Sequence, residues 1–233
     1  MSIQVDNNSK IDSNLIETIK IMEKNNIPYW LCHGTLLGII RDNKLIDWDH
    51  DIDIAVWYSK NISKKLKTIM VNKHYHLKKQ NIIDDSLLTF VKKGGREVDI
   101  NCYREKKINN LEDIAYVKWT VPKNNFCKII DALSLANNYK GKFKFFINKL
   151  NIFSNYFEKF KLFLIKKNLF YKNLAYTVPF ILFKNFKKIK YKNIFITVPE
   201  ESEKYLTFVY GENWRVPKKN YNWIKDSPST KNV

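Results

Sequence analysis

The segment LIDWDHDIDIAVW (residues 45–57) constrains the fold more than any other part of this sequence. In its second half, acidic and apolar residues alternate, which is the pattern of a β-strand with one buried face. On such a strand Asp49, Asp51 and Asp53 share one face, and Ile52, Ile54 and Val56 point to the other. Carboxylates stacked in this way repel one another unless a cation lies between them. The segment therefore predicts a half-buried strand whose acidic face binds a divalent metal ion.

A further acidic position lies in a predicted β-hairpin. The stretch LLTFVKKGGREVDINCY (residues 87–103) has two alternating segments around a Gly-Gly turn, and Asp99 lies on the outward face of the second. If this strand is the neighbour of the first, Asp51, Asp53 and Asp99 form a carboxylate triad. Oxygen ligands suit Mg²⁺ or Mn²⁺, and such a triad can hold one or two ions against a phosphoryl group. The alternative is a solvated strand face on which the acids balance nearby lysines.

The segment HGTLLGIIR (residues 33–41) comes just before the acidic strand and predicts an anion site. Gly34 allows close approach of the backbone, and Thr35 begins a helix whose free N–H groups and dipole favour an anion. Arg41 follows one helix later, and its forked guanidinium can neutralise phosphate oxygens. Together with the acidic strand, these residues indicate a site for a phosphate-bearing substrate.

The remaining pattern predicts a mixed α/β part followed by a helical part, with a boundary near residues 125–140. Helices are expected at residues 12–25 and 63–72, and a short buried strand at residues 27–34. Beyond the boundary, an apolar helical seam is expected over residues 142–164. The seam consists of Phe146, Leu150, Phe153, Phe157, Phe160 and Leu164. A last helix is expected to start at Pro199.

Positive charge is concentrated in the second part of the chain. The formal net charge is +18, and residues 140–192 hold 14 lysines but only one acid, Glu158. Three interpretations stay open for this segment. Its helices can pack on the catalytic part with solvated lysines, its lysines and aromatic residues can bind an anionic membrane, or it can bind single-stranded nucleic acid. Nothing here resembles a nucleic-acid module, so the last of these is the weakest.

Cysteine usage and the start of the chain bear on its compartment. The three cysteines are scattered without metal-ligand spacing, which favours free thiols in a reducing cytoplasm. No signal peptide is visible, and no apolar run approaches the about 20 residues that span a bilayer. A soluble or peripheral protein is therefore expected.

The motif GTLLGIIRDNKLIDWDHDIDI closely resembles the LicD and fukutin-related family of phosphotransferases, within the nucleotidyltransferase superfamily. The family pattern is roughly Gly-Thr-Leu-Leu-Gly-x-x-Arg, a short turn, and Trp-Asp-x-Asp-hydrophobic-Asp. The matching positions are Gly34, Thr35, Leu36, Leu37, Gly38, Arg41, Trp48, Asp49, Asp51 and Asp53. The tail VPEESEKYLTFVYGENWRVP is similar to the closing motif of the family. The resemblance thus extends from about residue 28 to about residue 217.

This resemblance implies a fold and a division of the chain. Residues 1–130 are expected to form a nucleotidyltransferase-like catalytic core, a mixed sheet with flanking helices of the α/β (α+β) class. Residues 131–233 are expected to form a helical, lysine- and aromatic-rich part that completes the site and the acceptor surface.

The resemblance also implies roles for the motif residues. Asp51 and Asp53 would be metal ligands, and Asp99 would be the third carboxylate, as a ligand or as the base for the incoming hydroxyl. The donor phosphates would be held by Gly34, Thr35 and Arg41. Asp49 would support the carboxylate cluster.

The activity implied by the resemblance is a Mg²⁺- or Mn²⁺-dependent transfer of phosphocholine, or of a phospho-alditol such as ribitol or glycerol phosphate. The donor would be a CDP-alcohol, the acceptor a sugar hydroxyl of a surface glycan, and the setting the cytoplasmic face of a bacterial membrane. One alternative is a nucleotidyltransferase that places NMP on a small molecule, a protein or an RNA end. The other is an inactive basic adaptor, against which the intact Asp51, Asp53 and Asp99 argue.

Overall fold

The structure, a computed structural model, describes residues 11–78, 85–107 and 113–232. These residues form two compact units. The first contains residues 11–78, 85–107, 113–117 and 175–231, and the second contains residues 118–174 and 232. The division expected between residues 130 and 131 does not coincide with these units, because the chain returns to the first unit after residue 174.

The helices and strands follow one another along both units. In chain order the helices are α1 (Ser13–Lys24), α2 (His33–Asp42), α3 (Lys60–Asn72), α4 (Asn125–Ser134), α5 (Lys144–Lys149), α6 (Ser154–Lys166), α7 (Ser202–Tyr210) and α8 (Trp223–Asp226). The strands are β1 (Trp30–Leu31), β2 (Asp51–Trp57), β3 (His76–Leu77), β4 (Leu87–Val91), β5 (Glu97–Lys106), β6 (Ile114–Pro122), β7 (Tyr171–Pro179), β8 (Phe186–Tyr191), β9 (Ile194–Pro199) and β10 (Thr230–Asn232). Two 3₁₀ turns lie at Leu150–Phe153 and Phe180–Phe183.

A mixed sheet is the centre of the first unit. Within the described residues it has eight strands in the order β1-β2-β5-β6-β7-β10, with β4 beside β5 and β3 beside β4. Strand β2 is parallel to β5 and antiparallel to β1, and β4 is antiparallel to β5. Strands β6 and β7 each continue along the chain from one unit into the other. This arrangement confirms the predicted α/β fold with a mixed sheet and flanking helices.

The register of β2 and β5 places acidic residues side by side. Asp53 pairs with Asp99 across the two parallel strands, as the sequence analysis required for a triad. The alternating apolar residues of both strands, including Ile52 and Ile100, are fully buried on the opposite face. Burying these branched side chains fixes the strand register, because a shift by one residue would turn the acids into the core.

The predicted elements of the first unit before residue 107 are present. Helix α1 begins after Asp12, whose carboxylate accepts hydrogen bonds from the N–H groups of Asn14 (2.9 Å) and Leu15 (3.3 Å). Strand β2 and the hairpin of β4 and β5 lie where the alternation placed them. The strand expected at residues 27–34 pairs over Trp30–Leu31 alone, because α2 already begins at His33.

The second half of the chain differs from the prediction. Residues 171–199, expected as part of the helical region, contain β7, β8 and β9. Strands β8 and β9 pair antiparallel, and a two-residue loop joins Tyr191 to its partner Ile194. Lys192 in that loop has a left-handed backbone with φ 52°, as tight hairpin turns require. Pro199 ends β9, and the following helix begins three residues later at Ser202.

The expected helical seam is also interrupted. The 3₁₀ turn at Leu150–Phe153 separates α5 from α6 and changes the direction in which side chains point. Phe157 and Leu164 pack on a small core in the second unit, whereas Phe146 is 75% exposed. Within the described residues no helix combines the length and the apolar character needed to cross a bilayer.

Helix α2 ends in a tight turn that leads the chain into β2. A Cβ atom at Gly38 would lie 2.6 Å from the carbonyl oxygen of Lys44 and 3.0 Å from the side chain of Ile46. The glycine therefore allows the chain to fold back closely on α2.

We expect Gly38→Ala to lower the free energy of unfolding by about 1–3 kcal/mol, because the backbone of Lys44 must move away. Urea unfolding measures this loss. The control is Asn43→Gly in the same turn, where a left-handed backbone with φ 51° suits glycine. Equal stability of Gly38→Ala and wild type would contradict the close approach.

Candidate active site

Asp53 is bound to the start of α2 by three hydrogen bonds. The N–H of Cys32 donates to the carbonyl oxygen of Asp53 (3.3 Å), and the N–H of Gly34 donates to its carboxylate (3.0 Å). The N–H of Asp53 in turn donates to the hydroxyl oxygen of Thr35 (2.8 Å). These bonds fix the carboxylate in position at the N-terminus of α2, where the helix dipole favours negative charge.

Three carboxylates lie close together around this point. One oxygen from each of Asp49, Asp51 and Asp53 lies within 4.8 Å of the others. Asn101 donates to the second carboxylate oxygen of Asp53 (3.4 Å). Asp99 lies beside Asp53 in the strand register, and the Thr89 hydroxyl donates a short hydrogen bond to it. The structure thus brings the predicted acids together and places Asp49 in the closest group.

Glycine at position 34 allows the Asp49 carboxylate to lie close to the start of α2. A Cβ atom there would lie 2.4 Å from a carboxylate oxygen of Asp49 and 3.4 Å from one of Asp53. A larger residue would therefore require the Asp49 carboxylate to move.

Burial and mutual repulsion raise the pKa values of the clustered acids. Burial, followed by the charge of Asp49, raises the pKa of Asp51 to about 7. The pKa of Asp53 is raised well above its usual range by burial and by its acidic neighbours. Burial raises the pKa of Asp99 to about 6, although the bond from Thr89 opposes this shift. A cation contributes most free energy when it binds among carboxyl groups that resist ionisation in this way.

The cluster fits a hard divalent cation. It offers several partly buried carboxylate oxygens within reach of one another. Among the contacts described, no ammonium or guanidinium group is bound to Asp49, Asp51 or Asp53. Mg²⁺ and Mn²⁺ prefer this donor set, whereas sites for softer metals use thiolate or imidazole. The residues that could hold the ion are Asp49, Asp51 and Asp53, with Asp99 beside them.

A buried polar network lies next to the cluster and was not predicted. His33 has a left-handed backbone with φ 43° and packs between tyrosines. Its two ring nitrogens lie 3.2 Å from the Tyr103 hydroxyl and 3.3 Å from the Tyr205 hydroxyl. Burial lowers the pKa of His33 to about 3, so the ring is neutral at physiological pH. A single histidine before a glycine gives no sequence signal for this role, since its tyrosine partners are remote in the chain.

A cavity of about 620 Å³ opens beside the cluster and is lined by Gly34, Arg41 and Asp49. Much of its remaining wall comes from the tail of the chain. The aromatic residues around it are Trp48, Tyr210, Trp214 and Tyr221, and the lysines are Lys218 and Lys219. A cavity of this size accommodates a nucleotide-sized ligand. Residues 131–233 were expected to complete the site, but the sequence analysis singled out none of these tail residues.

Two of the predicted phosphate-binding residues have additional contacts. The Thr35 hydroxyl is buried and accepts from Asp53, so it connects α2 to β2. The guanidinium of Arg41 lines the cavity and forms a forked ion pair with Asp42, with distances of 2.8 to 3.0 Å.

We expect the metal-free protein to gain stability from Asp51→Asn, and this gain to grow as the pH rises. The folded protein keeps a proton on Asp51 up to a pKa of about 7, whereas the unfolded chain loses it near its usual value of 3.8. The stabilisation that the protonated Asp51 carboxyl contributes is therefore fully present below pH 4 and is lost as the pH rises through 7. Thermal melts with a chelator at pH 5 and pH 8 measure the difference in stability between variant and wild type. The contribution of His33 to the pH dependence has the opposite sign, but it is the same in both proteins and cancels in this difference.

The control for this measurement is Asp47→Asn, which removes the same charge from the same segment. Asp47 is exposed and paired with Lys44 at 2.6 Å, so its removal should bring no gain at pH 8. Adding Mg²⁺ or Mn²⁺ should raise the melting temperature of wild type and of Asp47→Asn but not that of Asp51→Asn. A wild-type melting temperature that is indifferent to both ions would contradict a metal site.

Comparison with known proteins agrees with this geometry. Residues 26–129 match the family described as LicD/FKTN/FKRP, nucleotidyltransferase domain. Uncharacterized proteins of Rickettsia prowazekii (strain Madrid E) and Rickettsia typhi (strain Wilmington) are each 41% identical over 46 residues. These matches cover 20% of this chain and 17% and 15% of the two relatives, so the chain aligns with less than a fifth of their length.

Two solved structures are also similar. The lincosamide antibiotic adenylyltransferase LnuA, with lincomycin bound, has a TM-score of 0.43 and 14% identity, over 86% of this chain and 87% of that chain. The antibiotic-resistance factor ANT(2'')-Ia has a TM-score of 0.32 and 12% identity, over 66% of this chain and 90% of that chain.

The segment that matches the family, residues 26–129, contains β2, β5 and the start of α2. It also contains all seven of the predicted site residues. Residues 26–129 of this chain therefore belong to the LicD/FKTN/FKRP family as its nucleotidyltransferase domain.

Proposed function

We propose that this protein transfers a phospho-alcohol from a CDP-activated donor to a sugar hydroxyl of a cell-surface glycan and releases CMP. The transferred group would be phosphocholine or a phospho-alditol such as ribitol or glycerol phosphate. The observation that carries this proposal is the acidic cluster of Asp49, Asp51 and Asp53 beside a nucleotide-sized cavity, in a domain of the LicD family.

In this proposal Asp51, Asp53 and Asp99 hold Mg²⁺ or Mn²⁺, and Asp49 supports the cluster or adds a ligand oxygen. A bound ion of this kind supplies positive charge that polarises phosphoryl oxygens and stabilises a leaving phosphate. The bonds from Cys32, Gly34 and Thr35 hold Asp53 in place before substrate arrives, so little reorganisation is needed.

The cavity residues suit the two ends of a CDP-alcohol. Arg41, Lys218 and Lys219 supply cationic groups for the diphosphate at its wall. The indole of Trp48 is 39% exposed and offers an apolar face for the cytosine ring or the alcohol. Tyr210, Trp214 and Tyr221 add further aromatic surface from the tail.

The reaction would be an in-line displacement at the phosphorus nearest the alcohol. The oxygen of the acceptor hydroxyl forms a bond to this phosphorus while the bond to the CMP oxygen breaks. As the alternative to its role as a ligand, Asp99 would act as the base and accept the hydroxyl proton on its carboxylate. Thr89 fixes the orientation of this carboxylate through its hydroxyl.

The second candidate function is nucleotidyl transfer, in which NMP passes from a nucleoside triphosphate to a small molecule, a protein or an RNA end. The family description of the domain favours it, because the matching family is named for nucleotidyltransferases. The same carboxylates serve both reactions, so the released product distinguishes them: CMP in the first reaction and pyrophosphate in the second.

We further propose that the protein works at the cytoplasmic face of a bacterial plasma membrane, where a lipid-linked glycan is available as acceptor. Buried free thiols at Cys32, Cys102 and Cys127 agree with a reducing compartment.

Donor binding by calorimetry is the first test. CDP-choline, CDP-ribitol, CDP-glycerol, ATP and CTP are titrated with and without Mg²⁺ or Mn²⁺. We expect metal-dependent binding of one CDP-alcohol and its loss in Asp53→Asn, together with a fall in the rate of CMP release on the order of a thousandfold or more. Asp47→Asn should retain both binding and rate. Binding of a triphosphate with pyrophosphate release would instead establish nucleotidyl transfer, and binding of no nucleotide would favour the adaptor.

The contribution of the tail is tested with Lys219→Ala. If Lys219 contacts the donor diphosphate, this variant should raise the KM for the donor about tenfold with little change in kcat, since an exposed charge contributes about 1–2 kcal/mol to binding. The control is Lys225→Ala, an exposed lysine of α8 that does not line the cavity. The same KM for the two variants would remove Lys219 from the donor site.

A further inference from the structure

The second unit carries an exposed surface of apolar and basic side chains, which we call the lysine–aromatic surface. It lies within residues 142–169, on α5, the 3₁₀ turn and α6. Its most exposed apolar members are Phe143 (75%), Phe145 (77%), Phe146 (75%) and Ile152 (82%). Neither α5 nor the 3₁₀ turn buries a single residue. Large apolar side chains displayed in this density on a protein surface mark an interaction site.

Helix α6 has apolar residues on two sides. Phe157 and Leu164 pack on the small core of this unit, and the one buried residue of the helix is Lys161. Leu162 and Phe163 do not pack on that core and are both more than half exposed. A helix that served only to cover the core would carry polar residues at these outward positions. The outward apolar residues are therefore left for a partner.

The charge around these residues indicates what the partner is. The same range holds six exposed lysines, namely Lys142, Lys144, Lys149, Lys159, Lys166 and Lys167. Its only acidic residue is Glu158. A surface that combines exposed phenylalanine with surrounding lysine complements a negatively charged layer above an apolar one. An anionic lipid bilayer has this structure, and its charged surface attracts clustered lysines.

We infer that the lysine–aromatic surface binds the surface of anionic lipid bilayers by inserting Phe145, Phe146 and Ile152 among the acyl chains while its lysines contact lipid phosphates. The helices lie in the interface, because none is long or apolar enough to cross. Nucleic acid would use the lysines but would leave the isoleucine and leucine side chains without a partner, since bases stack on aromatic rings. This inference does not depend on the proposed reaction.

The test is sedimentation of the full-length, metal-free protein with vesicles and no substrate. One set of vesicles is phosphatidylcholine, and the other contains about 30% phosphatidylglycerol. We expect binding to the anionic vesicles, reduced but not abolished by about 0.5 M NaCl, because salt screens the lysines and not the inserted side chains. Phe145→Ser with Phe146→Ser should weaken binding about tenfold or more, since two phenylalanines leave the acyl region.

The matched control is Phe195→Ser, which removes an exposed phenylalanine from β9 and should bind vesicles like wild type. Equal thermal melts show that all three proteins are folded, as expected for changes at exposed positions. Absence of binding to anionic vesicles would overturn the inference, as would binding that the double variant leaves unchanged. Displacement from vesicles by a single-stranded oligonucleotide at equal salt would assign the surface to nucleic acid. A dimer abolished by the double variant would assign it to a second copy of the chain.

Discussion

The site depends on holding several carboxylates together against their own repulsion. Strands β2 and β5 place Asp53 and Asp99 side by side, and the buried isoleucines on the other face prevent either strand from shifting register. The backbone N–H groups of Cys32 and Gly34 and the side-chain hydroxyl of Thr35 then hold Asp53 at the start of α2. The repulsion is not removed by these contacts, because the pKa values of Asp51 and Asp99 remain raised. The apolar core thus holds in place a charge arrangement that a cation and a phosphate can later neutralise.

The sequence predicted this part of the fold because its signals are local. An alternation of acid and isoleucine specifies both a strand and the face on which each residue lies, so β2 was predicted at its observed bounds. The Gly-Gly turn likewise specified the hairpin of β4 and β5, and with it the outward position of Asp99. The triad requires β2 and β5 to be neighbouring strands, and only the structure shows that they are.

The remaining features are not encoded locally. Segments such as FKKIKY were assigned to a helical region because lysine and aromatic residues are common throughout residues 140–192, although this segment forms β8 in a hairpin. The same residue types form α6, where Lys161 is inward and Phe163 outward. Composition cannot distinguish these uses, since they depend on which surface each segment meets. For the same reason no local pattern indicated that His33 would contact Tyr205 or that Trp214 would line the cavity.

The contact between His33 and Tyr205 has a consequence for how the protein is made, because it joins residues 172 positions apart. The predicted site residues, from Gly34 to Asp99, leave the ribosome before strands β7 and β10 and helix α7, which complete the same unit. Closing contacts over such separations is slow, so the nascent chain displays its acidic strand for an interval without a finished unit around it. A product terminated before α7 would contain all seven predicted site residues and lack the part of the cavity wall that the tail supplies.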